Sequence, residues 1–133
     1  MKTKLTIILL LFLSTAAFAQ KIKLKKGIIY VNKKEVLSYE KKSYGNEFVI
    51  YELGTKNELI IDIFNPNGNY QKIFFPNQKK SMEMRPKYWN KSLIKWFIEQ
   101  GILDVNGNFN KDKVDIFIEK YDEKITERTI IRN

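Results

Sequence analysis

Four groupings of side chains have types and spacings that can do chemistry. Ser92-Leu93-Ile94-Lys95 reads Ser-x-x-Lys, a spacing that sets an ammonium beside a hydroxyl on one helical turn, as acyl transfer from a serine requires. The companion motifs of that chemistry, Lys-Thr-Gly and Ser-Asp-Asn, are not in the chain. A capping serine followed by a solvated lysine has the same spacing. Asp104 to Asp115 reads DVNGNFNKDKVD. It puts Asp104, Asn106, Asn108 and Asp115 at positions 1, 3, 5 and 12 of a calcium loop. Phe109 stands where such a loop needs glycine, Asp115 is shorter than the bidentate glutamate, and Lys111 and Lys113 add positive charge. An ordinary turn before a helix capped by Asn110 accounts for the same residues.

The third grouping is acidic. Glu52, Glu58 and Asp62 fall on neighbouring strand-like segments, and paired carboxylates can do general acid–base work. Nothing in their spacing demands such a pair. The fourth is basic and aromatic: Lys79, Lys80, Arg85 and Lys87 precede Tyr88 and Trp89. Cations beside flat rings suit an anionic partner. The charge of the chain is uneven in the same sense. Residues 20–42 and residues 72–95 each carry a net +6, against −3 for 43–71 and −2 for 96–133. A solvated lysine-rich face is the plainer account. Lysines on an edge strand also discourage sheet-to-sheet aggregation.

Composition removes much else. The 133 residues contain no Cys and no His. Disulfide scaffolds, thiolate zinc sites, cysteine nucleophiles and histidine-dependent triads are excluded. No cofactor is expected.

The N-terminus reads as an export signal over residues 1–19. Lys2 and Lys4 form a positive start, Leu5 to Leu13 a short apolar stretch, and Ala17-Phe18-Ala19 the small-residue cleavage box. Cleavage leaves a chain from Gln20 to Asn133 with 22 basic and 15 acidic side chains, a net +7. The expected location is periplasmic or extracellular, with no transmembrane span after cleavage. Export makes nucleic acid an unexpected partner. An anionic glycan, a lipid headgroup or an acidic protein fits better.

The elements that must position these groups follow from periodicity. Lys21-Ile22-Lys23-Leu24-Lys25 alternates charged and apolar residues, the period of a half-buried strand. Gly27 marks a bulge or break. Ile28 to Val31, then Val36 to Tyr39, flank an Asn32-Lys33 hairpin tip. A loop is expected over Lys41–Asn46. Further strands are expected at Phe48–Tyr51, Leu59–Phe64, Tyr70–Phe75 and an exposed edge at Ser81–Arg85, with Leu59–Phe64 central. Asp62, the one charge in that strand, is expected to face solvent or a basic partner. From Asn90 the pattern turns helical. One helix ends at Gly101, and a second starts after Asn110 with Val114, Phe117, Ile118, Tyr121 and Ile125 in phase. Strands first and helices last predict an α+β fold: one domain over residues 20–133, an antiparallel β-meander of five to seven strands followed by two helices.

The stretches AFAQK, GIIYVNKKEVLSYEK and ELIIDIF, and the ending LIKWFIEQGILDVNGNFNKDKVDIFIEKYDEK, resemble those of short exported flavobacterial-type proteins of the Bacteroidota whose function is unknown. That resemblance implies an exported β-rich domain with helices at its C-terminus and no particular activity. The expectation is a non-enzymatic binding or interaction protein of the cell envelope. Its rivals are a small hydrolase using carboxylates or a Ser-Lys pair, and an inhibitor or immunity-type partner of another exported protein.

Overall fold

The structure is a computed structural model that describes residues 20–131. The export signal expected at residues 1–19 lies outside the described residues. Seven strands follow one another: β1 (Ile22–Lys25), β2 (Ile28–Val31), β3 (Lys34–Lys42), β4 (Glu47–Glu52), β5 (Glu58–Asn65), β6 (Tyr70–Phe75) and β7 (Lys80–Met84). They form one antiparallel sheet in that spatial order. Three helices come after them: α1 (Lys91–Glu99), α2 (Val114–Tyr121) and α3 (Ile125–Ile131). The fold is the α+β meander that the sequence pattern predicts.

The turns explain the order. Lys26 and Gly27 have φ of +50° and +81°, and Asn32 and Lys33 have +52° and +70°. Two successive left-handed residues twist as the flanking strands do, so each makes a two-residue hairpin. Gly27 is therefore half of a turn rather than a bulge. The bulge sits at Ile29/Tyr30, where the β2–β3 register shifts. The loop expected from Lys41 starts later, because β3 runs to Lys42 in register with Glu47.

The helices cover one face of the sheet. Ile50, Ile60, Ile73, Phe75 and Met82 bury against Leu93, Ile94 and Phe97 of α1 and Phe117 of α2. Trp96 is the hub, with ring centroids of Tyr88, Phe117 and Tyr121 at 4.7, 4.8 and 4.9 Å. α1 ends on Gly101 at φ +78°. There Gly101 donates to the Ile98 carbonyl and Ile102 to the Phe97 carbonyl, the paired closure that needs a left-handed residue.

Two details differ from expectation. The side chain of Asn90 does not cap α1. Ser92, the second residue of α1, ties down the chain that enters the helix instead: its hydroxyl accepts from the Trp89 N–H at 2.9 Å and donates to the Trp89 carbonyl at 2.8 Å. The second helix is also not continuous through Ile125. It stops at Tyr121, Lys124 takes φ +48°, and α3 begins at Ile125. The break occurs because residues 122–123 bond to β7. Asp122 accepts from the Glu83 N–H at 2.9 Å, the Glu123 N–H donates to the Glu83 carbonyl at 2.7 Å, and Glu123 accepts from the Arg85 N–H at 2.8 Å. β7 is thus an edge strand, but a covered one. Among the described residues no helix is long and apolar enough to cross a membrane.

Candidate functional site

The alternation of β1 and the turn chemistry of β1–β2 build a cationic groove. Ile22 and Leu24 turn toward the helices, so Lys21, Lys23 and Lys25 share the opposite side. Lys23 stands across from Tyr30 in the ladder. Lys33, at the tip of the next hairpin, and Lys91, the first residue of α1, join them. Lys21, Ile22, Lys23, Lys25, Tyr30, Lys33 and Lys91 line a cleft of about 730 Å³. Five of its lining residues are lysines and none is acidic. None of the five belongs to an ion pair found among the described residues. Such an arrangement can hold an anion by charge and stack a flat part on Tyr30.

Sequence reasoning singled out none of these residues as a site: Lys21, Lys23 and Lys25 were accounted for as edge-strand lysines, and Tyr30, Lys33 and Lys91 were missed. Lys91 is the least expected. It comes from the second basic stretch, residues 72–95, and meets the first stretch here. The Lys-x-Lys-x-Lys alternation was the visible signal. The convergence depends on where the crossing segment 85–90 delivers α1.

The expected basic and aromatic patch is arranged differently. Lys79 and Lys80 lie at the start of β7, and Arg85, Lys87, Tyr88 and Trp89 beyond its end. The five steps from Lys80 to Arg85 span roughly 16 Å at about 3.3 Å per residue. Lys80 pairs with Asp115, and Arg85 pairs with Glu123 at 3.7 Å. The Lys87 ammonium sits over the Tyr88 ring at 5.3 Å, and Tyr88 stacks on Trp96. Trp89 meets Phe64 edge-on at 5.2 Å. The six residues therefore form two separate groups, and the aromatic ones brace the crossing segment.

Of the four residues of the calcium-loop pattern, Asp104, Asn106 and Asn108 share one turn and Asp115 lies apart. Asp104 Oδ1 accepts the N–H groups of Asn106 and Asn108, and its Oδ2 accepts the Asn108 amide. Burial pushes the Asp104 carboxyl up, but these bonds and the Lys34 charge outweigh it and hold it below the ordinary value. Asp115 is on α2 and bound to Lys80. Gly107 at φ +83° closes the turn so tightly that a Cβ would overlap the Val36 carbonyl. Asn110 does cap the next turn, accepting from the Asp112 N–H at 3.1 Å.

The Ser-x-x-Lys pair is occupied structurally. The Ser92 hydroxyl is engaged with Trp89 on both sides, and Lys95 is exposed.

The three carboxylates are dispersed. Glu52 holds the Asn57 amide at 3.3 Å in the β4–β5 turn. Glu58 opposes Tyr51 across the ladder. Asp62, four residues farther and about 13 Å along the strand, faces the core between its ladder partners Phe48 and Ile73. It is 4% exposed, with neither solvent nor a cation beside it, and Oδ1 has no hydrogen-bond partner. Burial pushes its carboxyl up to about 7, against a smaller downward pull from hydrogen bonding with Gln71. Gln71 is itself buried, donating to the Tyr88 carbonyl at 2.8 Å.

A second, polar cleft of about 720 Å³ lies at the other end of the sheet, between the β4–β5 and β6–β7 turns and residues 101–112. Asn57, Asn77, Asn108 and Asn110 line it with Glu52 and Asp112. No family model, curated protein or solved structure matches this chain.

Proposed function

We propose that this chain is an exported, non-enzymatic interaction protein of the cell envelope, and that it holds an anionic partner in the lysine groove of β1, β2 and α1. The observation that carries this reading is the groove itself: five lysines and no acid on one cleft of about 730 Å³. Like charges are gathered against their mutual repulsion, which a polyanion relieves. The partner class is an anionic glycan, a lipid headgroup or an acidic protein. Export rests on the signal-like residues 1–19 and the likeness to short exported Bacteroidota proteins.

The test is titration with poly-L-glutamate, dextran sulfate and vesicles of anionic lipid, followed by calorimetry at several salt concentrations. The wild-type chain is expected to bind at least one of these, and a variant with serine at Lys21, Lys23, Lys25, Lys33 and Lys91 to bind it at least about tenfold more weakly. Equal binding by the variant, or no binding of any polyanion at low salt, overturns the proposal.

A further inference from the structure

The two edges of the sheet are unlike. The outer side of β7 is satisfied by Asp122 and Glu123, which bond to the backbone of Glu83 and Arg85. Among the described residues β1 has no such cover. The Lys26-Gly27 turn makes Lys25 and Ile28 the closing pair of the hairpin, so hydrogen-bonded pairs alternate from there. The Asn32 N–H donates to the Lys21 carbonyl at 2.9 Å, as that parity requires. Lys21, Lys23 and Lys25 therefore direct their peptide groups to β2. Ile22 and Leu24 direct theirs outward, where nothing among the described residues bonds to them.

We propose that this edge accepts an extended acidic segment of a partner protein as an eighth, antiparallel strand. The inference rests on the anionic-partner reading above and names the partner within it. An added strand places the residues opposite Ile22 and Leu24 on the helix side and the residues between them on the lysine side. The segment that fits alternates apolar and acidic residues, the complement of Lys-Ile-Lys-Leu-Lys. Its carboxylates meet Lys21, Lys23 and Lys25 across the ladder, with Lys33 and Lys91 extending the field. Glu35, opposite Tyr30 on β3, is an acid on the same face, one strand beyond Tyr30. Opposite charges facing each other across strands are favourable and like charges are not. A second copy of this chain would set lysine against lysine, so the edge rejects itself while accepting an acidic strand. Main-chain bonds supply affinity in this mode and the alternate side chains supply selectivity.

The test uses the peptide Glu-Val-Glu-Val-Glu-Val-Glu and two N-methylated forms. Methylation at the valines removes the N–H groups that face β1. Methylation at the glutamates removes those that face solvent. The valine-methylated peptide is expected to bind the purified protein at least about tenfold more weakly than the other two, and amide shifts on binding are expected to centre on Ile22 and Leu24. The K21E/K23E/K25E variant is expected to lose the peptide and to bind Lys-Val-Lys-Val-Lys-Val-Lys instead, which also shows that the variant is folded. If the valine-methylated peptide binds as well as the others, the added strand is wrong and the groove reads charge alone. If poly-L-glutamate and dextran sulfate bind but no peptide does, the strand again falls while the anionic reading stands. If nothing anionic binds, both fall.

Discussion

Asp62 makes the stability of this protein fall as pH rises through a range in which most carboxylates do nothing. Its carboxyl is 4% exposed, lies between Phe48 and Ile73, and is pushed up to about 7 from an ordinary value of 3.8. The folded chain therefore holds a proton that the unfolded chain releases near pH 4. Below that value both states are protonated, and the group costs nothing. Between about pH 4 and pH 7 the unfolded state is increasingly favoured, and above 7 the loss levels off. Three pH units of difference correspond to roughly 4 kcal/mol of stability lost across the window. Asp62→Asn removes the titration. An amide with an unsatisfied group in the same place costs about 1–3 kcal/mol, so the variant is expected to exceed the wild type by about 1–3 kcal/mol at pH 8. At pH 4 it is expected to match the wild type or fall below it. Urea unfolding of both proteins at each pH from 4 to 8 measures the difference, which cancels the other carboxylates. A difference that stays flat with pH, or a variant that is the less stable at pH 8, refutes the reasoning and means that the folded chain stabilises an ionised Asp62.

Three further outcomes are open to the same denaturant measurements. Gly107→Ala meets both a φ of +83° and the Val36 carbonyl, and is expected to cost at least about 2 kcal/mol. Trp96→Ala removes the ring on which Tyr88, Phe97, Phe117 and Tyr121 converge; a loss of about 3–5 kcal/mol is expected, and a loss under 1 would mean that α1 does not hold α2. Ser92→Ala is expected to cost about 1 kcal/mol through its lost hydrogen bonds to Trp89 and to leave polyanion binding unchanged; loss of a hydrolytic activity in that variant would instead favour a Ser-Lys enzyme.

The strands were legible because their period and punctuation agree. Pro76 stops β6 where the sequence says it should, and Asn32-Lys33 turns the chain as expected. Gly27 was harder, since its partner in the turn is Lys26, a residue that seldom takes a positive φ. Asp62 was misplaced because Leu59, Ile60 and Ile61 are all apolar and hide which parity faces the core. The ladder reveals it: Ile60 opposes Ile50 and Asp62 opposes Phe48. Ile125 falls in helical phase with Tyr121, so nothing local announced the break that bonding to β7 imposes. The basic patch misled for a simple reason. Closeness in sequence means closeness in space on a helix, but an extended strand drives its two ends apart. Lys91 shows the converse, since no periodicity links a helix start to a strand about seventy residues earlier.

The clasp of residues 122–123 on β7 also has a consequence in time. Each strand of the meander pairs with the one just before it, so the sheet can grow hairpin by hairpin as the chain emerges from its N-terminus. β7 is the exception, because its outer side waits for a segment some forty residues downstream. A nascent or prematurely ended chain that stops short of Asp122 presents that bare edge to its neighbours, and such an edge recruits other strands. A segment made after the whole sheet is what covers this edge. Truncated chains should therefore aggregate, or fall to proteases, at lengths for which the sheet is already complete.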